Sequence, residues 1–96
     1  MLNKVKLALA ISVNTFDTEL AELILAAVAD LMIAEVNDTD VVTSEPSNPL
    51  VSRAIVLYCV YHFELEHGDG VKAERFKAAY DEQKAQLSMS TGYTVW

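Results

Sequence analysis

Leu20-Ala21-Glu22-Leu23-Ile24-Leu25-Ala26-Ala27-Val28-Ala29-Asp30-Leu31-Met32 decides the fold. Leu20, Leu23, Ile24, Ala27, Val28 and Leu31 recur as i, i+3, i+4, i+7, i+8 and i+11, the period of one apolar helix face. A second set, Leu25, Ala29, Met32 and Val36, repeats on a different face, and only a narrow line through Glu22, Ala26 and Asp30 suits water. A helix apolar on two sides is expected to be covered on two sides. Asp17 and Glu19 stand where the dipole of a helix N-terminus favours negative charge, and Ser12-Val13-Asn14-Thr15 supplies candidate caps before them. The helix is expected over about 17–36.

Three more helices follow from the same reasoning on either side. A short one over about 2–10 carries Val5 and Leu9 on one side, with Lys4 and Lys6 elsewhere. Asn48-Pro49 gives a cap followed by proline at the first helical position, where its missing N–H costs nothing, and opens a central helix over about 49–67. Gly68-Asp69-Gly70 stops that helix and restarts the chain, with Gly68 suited to the left-handed position after the last turn. The fourth helix, about 71–87, sets Ala73, Phe76, Tyr80, Gln83 and Leu87 against a face of alternating charge. Asn37 to Asn48 reads as a loop, with Val41-Val42-Thr43 as a possible short strand, and 88–96 as an extended tail. The expected fold class is therefore all-α: one four-helix bundle-like domain with an extended C-terminal tail.

Composition narrows what such a domain does. Ninety-six residues hold one core, yet 52 % are apolar, so some apolar surface is expected to meet another subunit. Against 14 Asp and Glu stand 7 Lys and Arg, and the net charge of −7 opposes both nucleic-acid phosphates and anionic lipid. Between Lys6 and Arg53 there is no basic residue, while eight carboxylates fall there, so part of the surface is expected to be strongly negative. The apolar run after Lys4 and Lys6 is too short for a cleaved leader, and Glu22, Asp30 and Glu35 break the longest apolar stretch, so no membrane span is expected. A single cysteine, Cys59, forms no internal disulfide and fits a reducing compartment.

A catalytic reading finds no support in the residues. Cys59 sits among Tyr58, Val60 and Tyr61, which predicts an inert core thiol. His62 and His67 point about 140° apart on one helix and cannot share an ion unaided, so neither metal nor cofactor is expected. The three glycines form no phosphate loop. Arg53 is the residue that stands out, a lone cation in the first turns of an apolar helix. Its plain reading is an ion pair with the second helix, and its alternative is an interface cation facing a neighbour's acidic region. Tyr93, Val95 and Trp96 read either as a frayed terminus or as aromatic-rich anchors suited to docking, with Tyr93 and Val95 on one face of an extended segment.

Several stretches together resemble a known family. They are Leu2 to Leu9 with its Val-Lys-Leu core, Phe16-Asp17-Thr18-Glu19-Leu20 with Ala26-Ala27 and Asp30-Leu31, and Asn48-Pro49-Leu50-Val51-Ser52-Arg53-Ala54-Ile55. Leu57-Tyr58-Cys59, Glu74-Arg75-Phe76 with Tyr80, and Leu87-Ser88-Met89-Ser90 complete the set. In order and spacing they are similar to the small head-tail connector, or adaptor, proteins of tailed bacteriophages, also described as DNA-packaging proteins. The resemblance implies a non-enzymatic helical subunit, assembled in the host cytoplasm and carried in the virion at the head-tail interface. It implies a homo-oligomeric ring beneath the portal that extends the DNA channel, with DNA only as passing cargo, and that docks the next head-completion or tail protein. In that frame Leu25, Met32 and Arg53 are the expected subunit contacts, and Tyr93, Val95 and Trp96 the expected docking residues for portal or neighbour. A prophage-encoded helical adaptor and a DNA-binding regulatory module are the alternatives. The latter needs a basic recognition helix, and Lys72, Arg75, Lys77 and Lys84 are interleaved with Glu74, Asp81 and Glu82.

Overall fold

A computed structural model describes residues 1–31 and 49–90, with the side chains of 88–90 left aside. The described residues form four helices and no strand: α1 (Leu2–Ala8), α2 (Asp17–Leu31), α3 (Pro49–His67) and α4 (Gly70–Ser90). The central position foreseen for α3 is observed, since it packs against each of the other three helices. The stretches 32–48 and 91–96, which include the expected end of α2, the loop and the last part of the tail, lie outside the described residues.

The core is built from the stripes that periodicity marks out. Leu20, Ile24, Ala27, Val28 and Leu31 of α2 are buried against Val51, Ala54, Ile55, Leu57 and Cys59 of α3. From α4, Ala73, Tyr80, Gln83 and Leu87 are also buried, and Val5 closes the cluster from α1. Each fully buried large aliphatic side chain contributes about 1.5–3 kcal/mol relative to exposure, which is what holds short helices of modest intrinsic stability in place.

Helix ends depart from the sequence reading in physically explicable ways. α1 closes at Ala8, two residues early, because Ala10 turns into the left-handed region at φ 57°. There the Ala10 N–H donates to the Leu7 carbonyl at 3.2 Å and the Ile11 N–H to the Lys6 carbonyl at 2.9 Å, the paired bonds of a Schellman stop. Gly68 does not take a left-handed conformation, contrary to the expectation for it. The Glu64 carboxylate folds instead into the space a Cβ on Gly68 would occupy, and Oε2 accepts from the Asp69 N–H at 3.4 Å. Asp69 then caps α4, its Oδ1 accepting from the Val71 N–H at 2.9 Å, so the helix starts at Gly70. At the other end α4 runs through Ser90 where a tail from 88 was expected, because no glycine or proline interrupts the chain before Gly92.

Candidate subunit-contact surface

Among the described residues, the part of the second α2 face that they include, Leu25 and Ala29, stays exposed. Leu25 is 39 % exposed and Ala29 is exposed, alongside Glu22, Ala26 and Asp30. The apolar stripe through Leu20 and Leu31 uses the available core, and nothing among the described residues covers Leu25. Met32 and Val36, the remainder of that face, lie outside the described residues.

Arg53 is exposed on α3, and among the described residues it has no carboxylate partner, so it forms no ion pair with Asp17, Glu19, Glu22 or Asp30 of α2, while Glu35 lies outside the described residues. Among the described residues the groove walls around Arg53 come from α1, α3 and α4. On one side Arg53 borders a groove of about 350 Å³ with Lys4, Val56 and Leu57. On the other it borders a groove of about 320 Å³ with Glu82, Gln83 and Gln86. Gln83 is 5 % exposed, and its Nε2 has no hydrogen-bond partner among the described residues. Arg53 and Leu25 therefore occupy separate patches, the arrangement a head-to-tail contact needs. Tyr93, Val95 and Trp96 lie outside the described residues.

The carboxylates of α2 are mostly engaged inside the chain. Lys6 Nζ lies 2.9 Å from Asp17 Oδ1 and donates to Asn14 Oδ1 at 3.1 Å, tying α1 to the turn before α2. Glu19 Oε2 is 2.8 Å from His67 Nε2. The Tyr80 hydroxyl donates to Asp30, whose Oδ2 also sits 3.3 Å from Lys84 Nζ. Glu22 remains exposed with no partner among the described residues. The negative surface expected from this stretch is thereby reduced over 17–31, and Glu35, Asp38, Asp40 and Glu45 lie outside the described residues.

The groups singled out for chemistry take structural roles. Burial pushes the Cys59 thiol up to about 12, the state of an inert thiol. His62 packs between Tyr58 and Tyr61, with ring centroids 4.3 and 4.6 Å away, and burial lowers its pKa against the opposing pull of Asp30 and Glu66. His67 contacts Phe16 and Phe63, whose rings meet edge to face at 5.1 Å. Glu64 Oε1 lies 3.6 Å from Lys72 Nζ at the start of α4. Local spacing could not reveal the contacts of Glu19 with His67 or of Asp30 with Tyr80, because the partners are 48 and 50 residues apart.

Among the described residues the domain is all-α, most of its polar side chains engage one another, and Leu25 and Arg53 remain exposed. The chain is a member of the phage connector protein family, whose family model matches residues 1–94. No curated protein and no solved structure matches it. The role of that family is structural, as a component of the virion that associates with other head or tail proteins. Among the described residues no helix is long and apolar enough to cross a membrane.

Proposed function

We propose that this chain is the repeating subunit of a head-tail connector ring that docks beneath the portal, extends the DNA channel and links capsid to tail. Membership of the phage connector family along nearly the whole chain carries the proposal. The exposed Leu25 and the exposed Arg53, which has no carboxylate partner among the described residues, support it, because a ring contact is heterologous and needs two different patches on each subunit. In this reading Leu25 and Met32 of one subunit meet a different patch on the next, with Arg53 in the contact. Tyr93, Val95 and Trp96 dock on the portal or on a neighbouring subunit, and the far side of the ring receives the next head-completion or tail protein. DNA passes as cargo: a net charge of −7 does not grip phosphate, whereas a basic wall would become adhesive through counterion release. Coexpression with the portal protein of the same phage, followed by electron microscopy, checks the assignment. A ring of this chain stacked on the portal is the expected image, and portal particles without added density argue against it.

A further inference from the structure

The first turn of α2 and the last turn of α3 meet where Glu19, Glu66 and His67 converge. His67 Nε2 lies 2.8 Å from Glu19 Oε2 and 4.0 Å from Glu66 Oε2, and one ligand atom from each residue lies within 4.8 Å of the others. A tetrahedral ion bound at about 2.0–2.2 Å holds its ligand atoms roughly 3.4 Å apart. The 2.8 Å separation must open and the 4.0 Å one close by roughly 0.6 Å each, and the two carboxylates, within 4.8 Å of each other, must close by up to roughly 1.4 Å. Carboxylate ends can make that movement: the Glu66 side chain is 70 % exposed, and Glu19 is itself partly exposed. The imidazole packs against Phe16 and Phe63, with ring centroids 5.3 and 4.7 Å away, so the adjustment falls to the carboxylates.

We propose that Glu19, Glu66 and His67 form a surface site for a zinc ion. The donor set selects the metal: imidazole nitrogen favours zinc over magnesium or calcium, which prefer shells of oxygen with more ligands. Two carboxylates balance the charge of the ion, and three protein ligands leave a fourth position for water. The bound ion joins residues 48 apart in sequence, and so fastens the start of α2 to the end of α3. This site is independent of the connector reading, and a monomeric chain would bind zinc equally well.

The test is calorimetric titration of the chelator-treated full chain with zinc chloride, paired with a thermal melt and with cobalt(II) as a visible-absorbance probe. One ion per chain, a raised melting temperature, and cobalt bands typical of tetrahedral coordination are expected. Glu66→Gln leaves the contact of Glu19 with His67 in place and should weaken zinc by more than about tenfold. His67→Ala should abolish binding, while His62→Ala should leave it intact. Absence of binding overturns the proposal, as does binding that survives both Glu66→Gln and His67→Ala or that is lost with His62→Ala.

Discussion

Ala10 holds a left-handed backbone at the end of α1, a conformation that costs an L-residue about 1 kcal/mol and glycine almost nothing. Ala10→Gly should therefore raise unfolding stability by about 0.5–1 kcal/mol, read as a higher urea midpoint with unchanged slope. The sequence placed the end of α1 within two residues and the end of α3 at His67, but not the left-handed residue: alanine is a strong helix former, and Gly68, which looked suited to that conformation, does not take it. Cys59 was legible: apolar neighbours in the sequence implied burial, and burial raises its pKa from an ordinary 9.0 to about 12. The folded chain then keeps a proton that the unfolded chain releases, so this contribution to stability is complete below about pH 9 and is lost as pH rises toward 12. Tyr58 and Tyr80 act in the same direction from an ordinary 10.0, chiefly through burial and then through Asp30. Urea midpoints should fall between about pH 8 and pH 10.5, and Cys59→Ala should remove the earliest part of that fall.

Among the elements, α2 and α4 show how far periodicity reaches. The stripe from Leu20 to Leu31 and the set Ala73, Tyr80, Gln83 and Leu87 are buried as their spacing requires. Apolar character alone does not bury a residue: Leu65 in the last turns of α3 is 55 % exposed. Periodicity gives each helix a face without naming its partner, so the cross-link between α2 and α4 appears only in three dimensions. That link is the Tyr80 hydroxyl on Asp30, with Lys84 beside it. Tyr80→Phe keeps the buried ring and removes one charge-assisted hydrogen bond, and should cost about 1.5 kcal/mol by denaturant titration. A loss within about 0.3 kcal/mol of zero would mean that water replaces the contact. The exposed ion pair of Lys77 and Asp81 on the same helix is expected to matter far less to stability.

At the scale of the molecule, the sequence revealed the class through its all-α pattern, its apolar excess and its spread of family-like segments. It also singled out Leu25, Met32 and Arg53 as candidate contacts, but not their surroundings. Those required seeing Leu25 outside the core and Arg53 between two grooves lined by α1, α3 and α4. Because both are exposed, Leu25→Lys and Arg53→Glu should each change unfolding stability by no more than about 0.5 kcal/mol while reducing self-association. A variant that unfolds before it dissociates would place its residue in the core of the subunit. Light scattering of the purified chain at high concentration, alone and mixed with the portal protein of its phage, separates a ring subunit from a lone domain. A connector subunit predicts a molar mass that is a multiple of 10.6 kDa, with the chain joining the portal in the mixture. A particle that stays at 10.6 kDa in both conditions would contradict it.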